Sequence, residues 1–97
     1  MGFTALTGSA FKGHLGIVKQ LVAKGADIDS ANSQGQTPLM FAALFGRLEV
    51  VQFLVESKAD VRKKDAKGRT ALDLARAQGE ANAAVAKVLA DAETRKP

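Results

Sequence analysis

The sequence contains no cysteine, tryptophan or tyrosine, and it has one histidine and two prolines among its 97 residues. Without cysteine, the chain cannot form disulfides or bind a metal through thiolates. One histidine and scattered carboxylates do not complete a metal site, and no glycine-rich phosphate-binding pattern is present. The sequence therefore predicts neither a metal nor a cofactor.

Long apolar runs are also missing from this chain. No segment approaches the roughly 20 residues that a membrane-spanning helix requires, and no charged-then-apolar segment resembles a signal peptide. We therefore expect no membrane association and take the cytoplasm as the default compartment. The compartment itself stays undetermined, because a longer parent protein would carry its targeting signal elsewhere.

The remaining composition is that of one folded domain over residues 1–97. Hydrophobic residues make up 46% and charged residues 25% of the chain, which is too apolar for intrinsic disorder. A domain of this size buries roughly two-thirds of its unfolded surface. A single-core enzyme with a deep cleft is therefore not expected, and five phenylalanines supply all of the large aromatic side chains.

The same residues recur every 33 positions along the chain. Thr4, Thr37 and Thr70 show this spacing, and a period of this length is typical of stacked repeats. We therefore divide the chain into units over about residues 2–34, 35–67 and 68–92, followed by a tail over 93–97. The same period links Leu6, Leu39 and Leu72, then Gly2, Gly35 and Gly68, and finally Gly13, Gly46 and Gly79.

Each unit has the pattern of two helices joined by a tight turn. In the second unit, Thr37 can cap a helix that starts at Pro38, and Gly46 can end it in the left-handed conformation. Polar turn residues close the unit, so the predicted fold is all-α, a solenoid of helix-turn-helix units with protruding turns. The second helix of this unit carries amphipathic spacing at Leu48, Val51, Leu54 and Val55.

This pattern resembles the ankyrin-repeat family over about residues 2–92. The likeness is carried by residues 35–43 (Gly-Gln-Thr-Pro-Leu-Met-Phe-Ala-Ala), 46–51 (Gly-Arg-Leu-Glu-Val-Val) and 24–28 (Lys-Gly-Ala-Asp-Ile). Residues 10–13 and 70–75 are similar to bacterial members. The resemblance implies an L-shaped stack in which the short helices and the turn tips line a concave face.

Two departures from the family pattern concern stability. The family usually has histidine after Thr-Pro-Leu, whereas this chain has Thr7, Met40 and Asp73 there, so the hydrogen bonds of that histidine must be absent or replaced. Lys58 stands where the first unit has Gly25, at a helix end that requires a positive φ. A non-glycine residue pays about 1 kcal/mol in that conformation, so we expect Lys58→Gly to stabilise the domain.

The two ends of the stack differ. Val85 matches Val51 only after a shift of one residue, which indicates an insertion within residues 81–84. The third unit is rich in alanine and carries dispersed charges, as a solvated terminal unit requires. The first unit has Gly8 where the second has Phe41, and no polar cap precedes it. We expect this N-terminal edge either to stack on upstream repeats of a longer parent chain or to self-associate.

Candidate partner-binding residues follow the paired small residues of the short helices and occupy the turn tips. In the family that the chain resembles, these are recurrent contact positions. Phe45 should matter more than the charges around it, because hot spots are usually aromatic. Phe11 and Phe45 could instead pack across the seam between units, while Phe41 and Phe53 belong to the predicted core. The predicted partner-binding set is Phe11, Lys12, Gln34, Gln36, Met40, Leu44, Phe45, Lys67 and Arg69.

Residues 62–69, which we call the basic stretch, hold five basic side chains, with Asp65 as the only acid. Such a stretch can attract an acidic protein or a phosphate backbone, whereas a solvated turn is the plainer interpretation. A net charge of only +4 and the lack of aromatic residues beside the stretch argue against nucleic-acid binding. The five cations are Arg62, Lys63, Lys64, Lys67 and Arg69.

Catalysis has little support in the sequence. Ser9, His14 and Asp27 would fall on a helix, a turn and a loop of one unit, without a pocket or oxyanion donors. The leading hypothesis is therefore a non-enzymatic protein-interaction module. The alternatives are a structural C-terminal segment of a longer ankyrin array without its own binding site, and a weak binder of an acidic partner through the basic stretch. The fold does not identify the partner.

Overall fold

Three successive helix pairs make up the protein in a computed structural model that describes residues 4–94. Each pair joins a shorter helix to a longer one, and these residues contain no β-strand. The predicted all-α fold of helix-turn-helix units is therefore confirmed. The helices are α1 (Ala5–Lys12), α2 (Leu15–Ala23), α3 (Pro38–Leu44), α4 (Leu48–Glu56), α5 (Ala71–Arg76) and α6 (Ala83–Thr94), with a 3₁₀ turn (Gly79–Asn82) before α6.

Threonine starts each of the three short helices. The Oγ1 atoms of Thr4, Thr37 and Thr70 accept a hydrogen bond from the backbone N–H three residues later, at 3.0, 3.3 and 3.2 Å. Each cap satisfies a donor that the helix leaves unpaired and contributes about 1 kcal/mol. Pro38 occupies the first position of α3, where a missing N–H costs nothing. The repeated threonine therefore sets where the short helices begin.

The residue three places after each threonine closes the same turn in a different way. Asp73 Oδ2 accepts a hydrogen bond from the Thr70 N–H at 3.0 Å. Met40 Sδ accepts one from the Thr37 N–H at 3.5 Å. In the first unit, the Thr7 hydroxyl oxygen lies 3.1 Å from the hydroxyl oxygen of the capping threonine. The three residues that stand in place of the family's usual histidine thus each make a local contact with the capping threonine.

Residues with a positive φ end the helices. Gly46 follows α3 with a φ of 69°, and Gly25 follows α2 with a φ of 91°. Lys58 takes the place of Gly25 after α4, with a φ of 74°, and no other non-glycine residue in 4–94 has a positive φ. The N–H of Lys58 donates to the Val55 carbonyl at 3.1 Å. The predicted conformation of Lys58 is therefore confirmed, and its effect on stability stays a prediction.

The helices form two rows with the core between them. Helices α1, α3 and α5 pack side by side, and α2, α4 and α6 pack against them. All three helix pairs contribute buried apolar residues to this one layer. Its buried apolar residues are Leu6, Ala10, Val18, Leu39, Met40, Ala42, Ala43, Val50, Val51, Leu54, Ala59, Ala71, Leu72, Leu74, Ala75, Val85 and Leu89.

Side chains of the later unit satisfy the C-termini of the preceding short helices. The insertion in the third unit forms the 3₁₀ turn, and Asn82 at its end donates from Nδ2 to the Ala43 carbonyl at 2.9 Å. In the earlier seam, Arg47 Nε donates to the Phe11 carbonyl at 3.0 Å. Both bonds reach a carbonyl in the last turn of a short helix, and both tie one unit to the next. The Ala43 carbonyl also accepts from the Gly46 N–H at 3.3 Å.

Two sequence predictions are corrected. Phe41 and Phe53 are only partly buried, and Phe53 lies at the border of the core, with Lys19 Nζ 5.8 Å from its ring centroid. Glu93 and Thr94, which were predicted to belong to the tail, are the last residues of α6. The first residues of unit 1 and the rest of the predicted tail lie outside the described residues.

Candidate partner-binding surface

Three phenylalanines form an aromatic cluster at the C-terminal ends of α1 and α3. The ring centroids of Phe11 and Phe45 are 4.5 Å apart with an interplanar angle of 70°. Those of Phe11 and Phe41 are 6.5 Å apart at 71°. Edge-to-face pairs of this kind contribute about 1 kcal/mol each beyond apolar burial. Phe11 therefore packs across the seam between the first two units, as the packing interpretation expected.

Phe45 stays open to solvent although it belongs to this cluster. It is the C-cap of α3 and is 46% exposed, and in residues 4–94 only Ile17 is another exposed large apolar side chain. The adjacent Leu44 is partly buried against the core. Thirty-three residues later, Ala77 and Gln78 hold the equivalent positions and are exposed. The exposed apolar surface at the ends of the short helices is therefore centred on Phe45.

Met40 does not belong to this surface. It is 2% exposed, and its Sδ accepts the hydrogen bond from the Thr37 N–H. Met40 is in the predicted partner-binding set, but its side chain is buried against the start of its own helix and therefore adds no exposed apolar area. Thr7 and Asp73 make the corresponding contacts in the other units. Thr7 is buried like Met40, whereas Asp73 is exposed, so the shared position alone does not predict the burial of Met40.

The turn tips carry polar groups, but some of these groups form hydrogen bonds within the protein. Gln36 is partly buried, and its Oε1 accepts a hydrogen bond from Asn32 Nδ2 at 2.8 Å. Gln34 is exposed, and its carbonyl accepts from the Ala66 N–H of the next tip at 2.9 Å. Gln34 therefore presents its side-chain amide to solvent, whereas the amide of Gln36 holds the turn.

Cations lie next to the aromatic cluster. Lys12 and Arg47 are both exposed and line a groove of about 340 Å³ between the first two units, together with Glu49. Arg47 was missed in the sequence, although its place two residues after Phe45 was an available signal. Since its Nε already donates to the Phe11 carbonyl, the guanidinium is held beside the cluster and adds a fixed positive charge there.

Asp65 is the buried polar centre of the second turn. It is 7% exposed, and its Oδ1 accepts from the backbone N–H groups of Lys67 and Arg69, both at 2.9 Å. Its Oδ2 accepts from Arg69 Nε at 3.0 Å. Burial alone would raise the pKa of Asp65, but these donors and the Arg69 charge outweigh it and lower the pKa below the ordinary 3.8. The carboxylate thereby fixes the turn that carries Lys67.

The basic stretch is only partly available to a ligand. Arg62 Nη2 donates to the Glu93 carbonyl, and Lys63 Nζ donates to the Asp29 carbonyl at 3.3 Å. Arg69 is committed to the ion pair with the buried carboxylate of its own turn. Arg62 and Lys63 thus hold neighbouring chain segments together, and Arg69 stabilises its own turn. The exposed members without a side-chain partner in residues 4–94 are Lys64 and Lys67.

Three further expectations concern metals, membranes and the histidine. Within residues 4–94, no three histidine or carboxylate side chains gather closely enough to hold a metal ion. No helix in that range combines the length and apolarity needed to cross a membrane. His14 is exposed and stands before α2 without a side-chain capping bond. It occupies the same turn position as Arg47 in the second unit.

Comparison with known proteins identifies the family. No curated protein matches the sequence, but the family of ankyrin repeats does, in three copies over residues 6–96. Ankyrin repeats are generally protein–protein interaction modules and are typically non-enzymatic. The match covers nearly the whole chain and agrees with the three helix pairs, their threonine caps and their period of 33 residues. The chain therefore belongs to the ankyrin-repeat family.

Proposed function

We propose that this chain is a non-enzymatic module that binds a partner protein through the concave side of its short helices and turn tips. The observation that best supports this proposal is that Phe45 packs against Phe11 yet remains 46% exposed. A ring already held by a neighbour loses little side-chain freedom when a partner covers it. Aromatic residues in such positions are typical hot spots.

The proposed contact set follows from burial and hydrogen bonding. Leu44 and the accessible part of Phe11 extend the apolar centre around Phe45, and Gln34 adds a polar group at the tip. Gln36 and Met40 do not contact the partner in this proposal, but they stabilise the turn and the helix start beneath the surface. The proposed rim consists of the exposed cations Lys12, Arg47, Lys67 and Arg69.

The rim favours a partner that carries carboxylates near an apolar contact. Lys12 and Arg47 lie beside the aromatic cluster, and Lys67 projects from the neighbouring turn. Exposed charges of this kind mainly raise the association rate and contribute little to the final affinity. The proposed partner surface is therefore apolar at its centre and acidic at its border, with binding that weakens moderately in salt.

Capture of partners from an extract of the source organism tests the proposal. The immobilised chain is compared with Leu44→Ala/Phe45→Gln, which gives the second unit the residues Ala77 and Gln78 of the third. Ile17→Gln serves as the control, since Ile17 is equally exposed on a different face. We expect a protein that the wild type and the control capture and the double variant does not. Capture by all three forms would reject the surface around Phe45.

Affinities for the captured protein then test the ranking of residues. Phe45→Ala should weaken binding by about 2 kcal/mol or more, whereas Lys67→Ala should cost about 0.5 kcal/mol. Isothermal titration calorimetry at two salt concentrations separates these effects, because only the Lys67 contribution should shrink in salt. Equal losses for the two variants would contradict an aromatic centre.

A second candidate function rests on Ile17. This side chain is as exposed as Phe45 but lies on α2, away from the aromatic cluster. A chain whose working surface is this edge would be a structural stacking segment of a longer array. In that case Ile17→Gln, and not the Leu44→Ala/Phe45→Gln variant, would abolish association with other ankyrin units.

The basic stretch supports a third, weaker candidate, an acidic partner held without the aromatic cluster. Only Lys64 and Lys67 have no side-chain partner within the described residues. A Lys64→Gln/Lys67→Gln variant should leave capture of a partner largely intact if the aromatic surface leads. Complete loss of capture would favour the basic stretch instead.

A further inference from the structure

Arg47 is held in a fixed position at the seam between the first two units. Its Nε donates to the Phe11 carbonyl at 3.0 Å. Its side chain also rests on Gly13, because a Cβ added at Gly13 would lie 2.9 Å from Arg47 Cδ and 3.2 Å from Arg47 Nε. A side chain that is already held in this way loses little conformational freedom when a ligand binds it. Arg47 is nevertheless exposed, so a ligand can reach it.

The two Nη groups of Arg47 have no partner within residues 4–94. A guanidinium carries its N–H donors in a planar fork, and the Phe11 carbonyl accepts only from Nε. The ion pair of the described range joins two other residues, Arg69 and Asp65. The Nη groups therefore keep the paired donors that bind both oxygens of a carboxylate. Lys12 Nζ also has no partner in this part of the chain.

The groove of about 340 Å³ between the first two units collects these donors. Lys12 and Arg47 give its lining two positive charges, and Glu49 gives it one negative charge. The net charge of the lining is therefore that of a single cation, which one carboxylate neutralises. A phosphate group carries about two negative charges at pH 7 and would leave an excess beside Glu49. The charges of the groove thus favour a carboxylate over a phosphate.

The next seam of the stack does not repeat this pair of cations. Phe45 and Glu80 stand 33 residues after Lys12 and Arg47. An acid at the position of Arg47 repels an anion, and an aromatic ring replaces the ammonium group. Within residues 4–94, a carboxylate therefore has one matching seam, so a partner that uses it binds in one register along the stack.

We propose that the groove between the first two units is a carboxylate subsite, in which Arg47 and Lys12 bind a Glu or Asp side chain of the partner protein. Phe11 links this subsite to the proposed partner-binding surface, since its carbonyl holds Arg47 and its ring centroid lies 4.5 Å from that of Phe45. The partner segment thus carries its acid next to the apolar side chain that covers Phe45. The subsite rests on the proposed function only for this placement.

NMR titration of the isotope-labelled full chain with blocked peptides tests the subsite without an identified partner. The probe is acetyl-Phe-Gly-Glu-amide, and acetyl-Phe-Gly-Gln-amide is its neutral control. We expect the Glu peptide to shift the Arg47 Nε–H resonance and the Gly13 and Gly46 amide resonances. Its Kd should be in the millimolar range and at least about fivefold lower than that of the Gln peptide. A phosphoserine in place of the Glu should bind no more tightly.

Variants of the groove test which side chains bind the acid. Arg47→Gln should weaken binding of the Glu peptide at least about fivefold, and Lys12→Gln about twofold to threefold. Lys87→Gln is the matched control, since Lys87 is an exposed cation outside the groove. Glu49→Gln should strengthen binding of the phosphoserine peptide more than that of the Glu peptide, because it removes the charge that opposes a second negative charge. Thermal melts check that each variant is folded.

Three results would overturn the carboxylate subsite. The Glu and Gln peptides could bind the wild type equally, the phosphoserine peptide could bind it more tightly than the Glu peptide, or Lys87→Gln could weaken binding as much as Arg47→Gln and Lys12→Gln. Each of these results would show that the groove does not select a carboxylate through its two cations.

The shorter probe acetyl-Glu-amide separates this proposal from the proposed function. It lacks the Phe side chain, so it should bind the wild type and Phe45→Ala alike, whereas Phe45→Ala should weaken the Glu tripeptide at least about twofold. Groove shifts with acetyl-Glu-amide but no gain from the Phe would support the subsite and contradict the aromatic centre. Equal shifts around Phe45 with the Glu and Gln tripeptides would support the aromatic centre and reject the subsite.

Discussion

Asp65 and Arg69 form an ion pair in which Arg69 Nε lies 3.0 Å from Asp65 Oδ2. Thirty-three residues earlier, Asn32 Nδ2 donates to Gln36 Oε1 at 2.8 Å. In both turns, an oxygen of the first side chain also accepts two backbone N–H groups. Donor and acceptor are exchanged between the turns while the geometry is conserved, so one turn is ionic and the other neutral.

Acid should destabilise the ionic turn specifically. The pKa of Asp65 lies below its ordinary 3.8 in the folded state, so its carboxylate contributes stability above about pH 4 that is lost as the pH falls through the folded-state value. Asp65→Asn removes this contribution and sets an amide against Arg69, which should cost about 2 kcal/mol at pH 7. In urea unfolding, the difference in free energy of unfolding between the wild type and Asp65→Asn should be smaller at pH 3 than at pH 7.

The neutral turn provides the control for this prediction. Asp65→Asn/Arg69→Gln copies the Asn32–Gln36 pair into the second turn and should recover most of the loss at pH 7. Its stability should also depend less on acid than that of the wild type. A double variant no more stable than Asp65→Asn would show that the two turns are not equivalent.

Lys58→Gly should stabilise the protein by about 1 kcal/mol, because glycine adopts a positive φ without the steric cost that lysine pays. Gly25 shows that the equivalent turn after α2 accepts glycine at a φ of 91°. Lys58→Ala is the matched control, since it removes the charge and the long side chain but keeps a Cβ. Guanidinium melts in which alanine gains as much as glycine would point to charge rather than backbone strain.

Gly46→Ala and Gly79→Ala should differ although both glycines have a φ of 69°. A Cβ on Gly46 would lie 2.6 Å from Asn82 Oδ1, whereas a Cβ on Gly79 would meet nothing within 4 Å. We expect a loss of about 1 kcal/mol at Gly79, from conformation alone, and a clearly larger loss at Gly46, where Asn82 must also move. Thermal unfolding of the two variants measures the difference.

Asn82→Ala tests the same contact from the other side. It removes the side-chain donor from the buried Ala43 carbonyl, which keeps the Gly46 N–H at 3.3 Å, and should cost about 1 kcal/mol. In the double variant Gly46→Ala/Asn82→Ala, the steric conflict is gone. Its loss in free energy of unfolding should therefore be smaller than the sum of the losses of the two single variants. Strict additivity in a double-mutant cycle would mean that the Asn82 side chain does not rest on Gly46.

Gly8→Ala should stabilise the first unit by about 0.5–1 kcal/mol, since Gly8 lies within α1 and alanine is the better helix former. A Cβ there would meet nothing within 4 Å, so no packing cost opposes the gain. Gly13→Ala is the contrasting variant, because Gly13 has a φ of 76° and its Cβ would lie 2.9 Å from Arg47 Cδ. Equal melting temperatures for the two variants would contradict this account.

Much of the fold can be predicted from the sequence, because the sequence signals that determine it are local. The threonine caps, the glycines at the helix ends and the apolar spacing each act within a few residues, and the 33-residue period repeats them three times. The positive φ of Lys58 follows from the same alignment of units. The family and the placement of the helices could therefore be predicted from the residues alone.

The surface could not be predicted in the same way. Phe11 and Phe45 are both aromatic residues at the end of a short helix, yet one packs into the seam and the other stays exposed. Ile17 and Val50 occupy one position of the repeat, yet Val50 is buried beside the first unit and Ile17 is exposed. The repeat pattern specifies which side chain each position carries, whereas exposure depends on which neighbours the stacked units bring against it, and those contacts join residues far apart in the chain.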